Sequence, residues 1–205
     1  IPMDTDIGMP VHPNNPTGQL IDREVLEQVA DYCQKTDTLL LLDECFHDFW
    51  KRACVHTLLP RVKENPKLFV LRAFTKMYGM AGLRLGYGIC SDTELIRRME
   101  QVTSLECIGS GSGCGNRGCK RTGICGGEQT DDHRTEKLLL AGLEGSGAKV
   151  VGSAANYIFF RAAPGFDTRM YRAGFMVRNC GNYDGLTEGF YRIAVRGEAD
   201  NRAFL

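Results

Sequence analysis

An α/β fold built on a mostly parallel sheet with flanking helices, followed by a smaller α+β domain, is predicted by three observations. Apolar runs at residues 39–42 and 68–73 each lead into polar, chemistry-bearing residues, as strands buried on both faces of a parallel sheet do. A stretch of 3.6-residue apolar spacing precedes the first run. From Ala148 the pattern changes to alternating and aromatic strands.

In chain order, Asp22 reads as the cap of a helix whose Val25, Leu26, Val29, Ala30 and Cys33 form the buried stripe. The 39–42 strand follows, then a polar connection through Asn65-Pro66, the 68–73 strand and a short strand over 85–90. Ser91 and Glu94 form a capping box for a helix running to about Val102. Strands are then expected at 150–151, 156–160, 175–177 and 191–195. An apolar strand is also expected before Pro13, where the chain reads Gly8-Met9-Pro10-Val11-His12; His12 receives no role. The large domain is placed at 1–104 and the small domain at 137–205.

The 205 residues, 43% of them hydrophobic, can bury a core. The 25 basic and 25 acidic residues cancel, which argues against nucleic acid or an anionic membrane as partner. No run of about 18 apolar residues spans a bilayer, and no secretory signal opens the chain. An ordinary soluble protein is expected.

The chemistry concentrates in three segments. Val70-Leu71-Arg72-Ala73-Phe74-Thr75-Lys76 brings an amine to the end of a strand, where lost hydration frees it as a nucleophile toward an aldehyde. The Thr75 hydroxyl and the Arg84 guanidinium are the residue types that hold a phosphate. Asp43 ends the leucine run, at the carboxyl edge where open α/β sheets bind ligands, and a carboxylate there can pair with a pyridine nitrogen. Pro13-Asn14-Asn15-Pro16-Thr17-Gly18 is a turn whose Asn15 can donate a hydrogen bond. Taken singly, each segment is also compatible with a surface lysine, a strand-end acid or a plain turn.

Together, in the order Asn15, Asp43, Lys76, Arg84, they resemble the fold-type-I pyridoxal-phosphate enzymes of the class I/II aminotransferase superfamily, over residues 13–104 and 137–205. The resemblance implies part of that fold and pyridoxal 5′-phosphate as cofactor. It implies that Asn15 contacts the cofactor's ring oxygen and Asp43 its pyridine nitrogen. Lys76 is the covalent attachment and catalytic residue, and Thr75 with Arg84 binds the phosphate. Phe46 stands where the family usually has Tyr, which removes a phenol hydrogen bond, and Ala73 replaces a frequent Ser. No metal is called for. Members of the superfamily start well upstream, so the chain reads as an N-terminally truncated fragment, also cut at its end, with little or no activity of its own.

The stretch Arg178-Asn179-Cys180-Gly181-Asn182-Tyr183-Asp184-Gly185-Leu186, with Phe190-Tyr191-Arg192-Ile193-Ala194-Val195-Arg196, resembles the L-threonine-O-3-phosphate decarboxylases of cobalamin synthesis. The related histidinol-phosphate aminotransferases share the arginines. A small substrate with carboxylate and phosphate needs several guanidinium forks. Arg178 and Arg192 match substrate-anchoring positions, and Arg196 is either a third or a solvent-facing residue. The resemblance implies a homodimer. The rival readings are a histidinol-phosphate-type aminotransferase, an aminotransferase-like effector domain without catalysis, and a pseudogene.

Residues 105–136 do not fit this pattern: they hold eight glycines and four of the nine cysteines. The spacing Cys107-x6-Cys114-x4-Cys119-x5-Cys125 lacks the paired Cys-x2-Cys of zinc sites, and a reducing cytosol disfavours disulfides. With suitable codons, a one-base shift from Leu105 reads Trp-Asn-Val-Ser-Val-Pro-Val-Gln-Ala-Ala-Gly, which resembles the superfamily's own sequence there. A frame error, which sequencing the DNA over 104–138 tests, is therefore expected, with an irregular, poorly ordered linker as its product.

Overall fold

The computed structural model describes residues 2, 4–50, 56–102 and 122–205, with side chains from 134 onward in the last stretch. Contacts divide the chain into two units, Ile1–His12 with Ile21–Gly123 and Pro13–Leu20 with Ile124–Leu205.

In the first unit β1 (Ile7–Gly8), β2 (Leu39–Asp43), β3 (Leu68–Ala73) and β4 (Gly86–Ile89) form one sheet in that order. The first three are parallel and β4 is antiparallel. Parallel neighbours need a crossover, which between β1 and β2 contains α1 (Arg23–Lys35). Leu26, Ala30 and Cys33 of α1 pack with Leu40, Leu42, Leu68 and Val70, and with Leu58 and Val62 of the β2–β3 connection. Leu40 and Leu42 are fully buried, whereas Leu39 and Leu41 are half-buried. The leucine run thus alternates, contrary to the expectation of burial on both faces, because α1 covers the face that every second side chain reaches.

Several local expectations are corrected. Asp22 occupies the cap position of α1 but makes no side-chain cap bond; its carbonyl accepts the Leu26 N–H at 3.0 Å. Val25, assigned to the stripe, is 46% exposed. The cap of α2 (Thr93–Val102) is Asp92 and not Ser91, since Asp92 Oδ1 accepts the Leu95 N–H at 3.0 Å. The strand before Pro13 is the two-residue β1, followed by a single bridge between Val11 and Asp43.

His12 has a structural role that its sequence context did not disclose. It is fully buried, with the His47 and His56 rings 5.5 and 6.3 Å away. A backbone N–H can only donate, so the 3.1 Å bond from Ile21 makes His12 Nδ1 an acceptor, and a proton there would break it. Burial first, then His47 and His56, lowers His12 from 6.5 to about 4. The unfolded chain takes up this proton near 6.5 and the folded chain resists until about 4. Stability from this residue is therefore intact above pH 6.5 and lost as pH falls toward 4, by at most about 3 kcal/mol. His12→Asn keeps an acceptor without the titration. Its urea midpoint should fall less steeply than the wild type's between about pH 7 and 4.5, and equal slopes would assign the acid sensitivity elsewhere.

In the second unit β5 (Lys149–Gly152), β6 (Tyr157–Arg161), β8 (Phe190–Ala194) and β7 (Arg178–Asn179) form an antiparallel sheet in that spatial order. Helices α3 (Thr122–Gly145), α4 (Phe166–Arg172) and α5 (Glu198–Phe204) complete it. Leu139 and Leu143 of α3 pack with Ile158, Phe160, Tyr191 and Ile193. The strand expected at 175–177 lies instead at Arg178–Asn179, where pairing with β8 is available.

The irregular segment expected over 105–136 falls outside the described residues as far as 121, and from Thr122 the backbone is helical. Thr135, Leu139 and Leu143, spaced by four, are buried, and the packing of that stripe outweighs the weak propensity of the glycines upstream.

The contacts also assign Pro13–Leu20 to the second unit, although the sequence placed it in the large domain. The Ala154 N–H donates to the Gly18 carbonyl at 2.8 Å, and the Tyr157 hydroxyl donates to the Asn14 carbonyl at 2.8 Å. A Cβ on Gly152 would stand 2.3 Å from the Thr17 carbonyl oxygen. Backbone cannot swing aside as a side chain can, so Gly152→Ala should cost about 1–3 kcal/mol, read as a lower urea midpoint. An unchanged midpoint would mean that this turn is not anchored there.

Candidate active site

In the first unit, β2 and β3 run parallel with Asp43 opposite Leu71, so both strands end at one edge of the sheet. Asp43 closes β2, and its Oδ1 accepts the Cys45 N–H at 2.9 Å, which turns the chain and fixes the carboxylate. Lys76 follows three residues after β3 ends at Ala73. Its side chain is exposed, so the loss of hydration expected from the strand does not act on it. Its neighbour is the Phe46 ring, whose centroid lies 5.1 Å from Nζ. The aromatic position that lacks a phenol thus supplies a cation–π contact.

Cys45 sits in the field of both residues. Burial, then a hydrogen bond to Asp43 and the charge of Asp43, pushes its thiol up to about 12, while Lys76 and Arg72 pull the other way. The Asp43 and Lys76 charges therefore share one neighbourhood.

Thr75 and Arg84 flank a closed loop. The Phe74 N–H donates to the Leu85 carbonyl and the Met80 N–H to the Phe74 carbonyl, each at 3.1 Å. Thr75 and Arg84 thus stand one residue inside the closing bond. Arg84 has φ 49°, a left-handed backbone that costs a non-glycine residue about 1 kcal/mol or more. It is exposed and Thr75 is half-buried. Among the described residues neither side chain, nor the Lys76 amine, is engaged in a hydrogen bond or ion pair. An amine, a carboxylate, a hydroxyl and a guanidinium at one sheet edge fit a phosphorylated pyridine aldehyde: one group each for aldehyde and ring nitrogen, two for phosphate.

In the second unit, Arg178 and Arg192 are paired across β7 and β8. Arg192 lies 4.8 Å over the Tyr157 ring, and its Nη1 donates to Asn15 Oδ1. That leaves the Asn15 Nδ2 donor, the atom a ring oxygen would need. Arg178 lies 5.9 Å from the Tyr183 ring. Burial pushes the Tyr157 hydroxyl up to about 12, keeping it a neutral donor to Asn14. Arg196 is exposed and ion-paired with Asp200 at 2.9 Å.

Sequence reasoning missed a buried ionic network beside Asp43. Glu44 is fully buried and accepts from Arg72, the Thr57 hydroxyl and the Leu58 N–H, and Arg72 also pairs with Asp48. The signal was an arginine inside an otherwise apolar strand, which needs an acid once buried. Among the described residues no group of side chains is arranged to hold a metal ion, and no helix is long and apolar enough to cross a membrane.

Comparison with known proteins places this geometry in a family. The sequence profile of aminotransferase class I and II matches residues 11–120. The chain is 30% identical over 208 residues to a threonine-phosphate decarboxylase of Salmonella typhimurium, covering 94% of this chain and 54% of that protein. It is 32% identical over 203 residues to a histidinol-phosphate aminotransferase of Methanothermobacter thermautotrophicus, covering 94% and 52%. The crystal structure of the histidinol-phosphate aminotransferase from Clostridium acetobutylicum superposes with a TM-score of 0.91 at 25% identity, over 98% of this chain and 62% of that one. The chain thus spans about half the length of the curated relatives it matches. With more than half of its residues inside that profile, the chain belongs to the aminotransferase class I and II family.

Proposed function

We propose that this chain is part of a pyridoxal-phosphate enzyme acting on a phosphorylated amino acid, and that its reaction is decarboxylation of L-threonine O-3-phosphate to (R)-1-amino-2-propanol phosphate. The cofactor is pyridoxal 5′-phosphate. The observation that carries the reading is the placement of Asp43 and Lys76 at one edge of adjacent parallel strands. Similarity to the Salmonella decarboxylase and the string from Arg178 to Leu186 favour decarboxylation. Amino transfer of the histidinol-phosphate type is the second reading, favoured by the equally similar aminotransferase of Methanothermobacter.

When bound, the cofactor supplies an aldehyde for amine capture and a ring that withdraws electrons from the bond broken at Cα. Lys76 provides the attachment and carries a proton at Nζ. Asp43 holds the proton of the ring nitrogen, Asn15 donates to the ring oxygen, and Thr75 and Arg84 bind the phosphate. Arg178 and Arg192 anchor the substrate's anionic groups and so select which Cα bond is broken. In decarboxylation CO2 leaves and Lys76 returns a proton to Cα; in amino transfer Lys76 removes the Cα proton instead. A homodimer in the cytoplasm is part of the same proposal.

The test uses a polypeptide of the relatives' full length that contains this sequence, mixed with pyridoxal phosphate and then with L-threonine O-3-phosphate. Release of CO2 supports the decarboxylase. Amino transfer to a keto acid, with L-histidinol phosphate added in place of L-threonine O-3-phosphate, supports the second reading, and visible absorbance without turnover of either substrate would reject both.

A further inference from the structure

The geometry points to Arg72 as a positioning residue: its guanidinium clips Glu44 and Asp48, the two acids that bracket Cys45 and Phe46, and thereby fixes the Asp43 carboxylate relative to the Lys76 amine. The inference rests on the cofactor reading above for its consequence, but not for its geometry. Arg72 Nε and Nη2 reach Glu44 Oε2 at 2.9 and 2.5 Å, and Nη1 pairs with Asp48. Glu44 opens a tight turn closed by the His47 N–H on the Glu44 carbonyl at 3.0 Å, and Asp48 is the residue directly after it. Inside it, the Cys45 N–H holds Asp43 Oδ1, and the Phe46 ring faces Lys76.

One side chain of β3 therefore binds the turn after β2, and β3 itself delivers Lys76 four residues later. Glu44 is fully buried, with further donors in Thr57 and Leu58, while the Arg72 side chain is 11% exposed. A planar fork can hold two carboxylates at fixed angles, whereas a lysine offers a point charge that holds one well. A staple serving stability alone would not need to enclose the two residues that touch Asp43 and Lys76.

The experiment compares Arg72→Lys with the charge-balanced pair Glu44→Leu/Arg72→Leu, which avoids an unpaired buried acid should single variants unfold. Three readouts are taken at a temperature where each variant is folded. In the cofactor-free protein, hydrogen exchange at the Cys45 amide should quicken about tenfold. With pyridoxal phosphate bound, the visible circular dichroism should fall at least about twofold, and the dissociation constant should rise about tenfold. Folded variants with wild-type exchange at Cys45 would overturn the clip. Faster exchange with unchanged dichroism and affinity would overturn its role in positioning. If the wild type binds no cofactor, the functional reading fails separately, because the exchange measurement does not depend on it.

Discussion

Lys76→Ala should abolish the visible absorbance that forms when the protein is mixed with pyridoxal phosphate. The amine is exposed beyond β3 and is in no ion pair among the described residues, which leaves it accessible to an aldehyde. By contrast Lys67 is paired with Asp37 at 2.6 Å. Lys76 also shares the sheet edge with Asp43, a placement that would serve both the aldehyde and the ring nitrogen of a single cofactor. The variant should fold normally. Its truncation removes one exposed cation–π contact over Phe46, a loss of about 1 kcal/mol or less. Borohydride reduction followed by peptide mass analysis makes the test specific: the wild type should keep the cofactor's mass on the peptide containing Lys76, and the variant on none. Colour retained in the folded variant would identify another lysine as the attachment point and remove the basis of the site.

What could be read from the sequence was local. The strand Leu68–Ala73 lies where its apolar run predicted, bounded by Asn65-Pro66 and by polar Thr75, because a short hydrophobic run between breakers has few other ways to bury itself. The carboxylate of Asp43 at a strand end and the lysine after the next strand were legible for the same reason. The cap of α2 was missed by one residue because Ser91 and Asp92 are equally good caps, and only backbone geometry chooses between them. The short β7 was misplaced because its pairing with β8 is a contact between distant segments. Long-range partners account for the rest. Nothing near His12 in sequence announces His47 and His56, and Arg72 is 28 residues from Glu44. The helix through residues 122–133 defied its glycine content because the decisive apolar stripe begins downstream at Thr135.

Asp43→Asn separates charge from shape at the other end of the candidate site. An amide oxygen can still accept the Cys45 N–H, so the turn after β2 should persist and the melting temperature should change little. What is lost is the negative charge. A charge-assisted hydrogen bond to a ring nitrogen becomes a neutral one, weaker by about 1–2 kcal/mol, so cofactor affinity should fall by about tenfold or more. In a full-length protein turnover should fall further, by about a hundredfold or more, because the ring no longer holds the proton that makes it an electron sink. Cys45 supplies an independent gauge of the same charge. The hydrogen bond to Asp43 and its charge are two of the three causes that raise the thiol to about 12. Removing the charge should bring the thiol down toward its ordinary value of 9.0, though burial, the largest cause, remains. Alkylation of the Cys45 peptide at mildly alkaline pH should then quicken without any cofactor present. If alkylation quickens while affinity for pyridoxal phosphate stays at the wild-type value, the carboxylate was charged and correctly placed but does not face the ring nitrogen. The partner of that nitrogen would then have to be sought elsewhere, and the pairing of Asp43 with Lys76 would lose its chemical meaning.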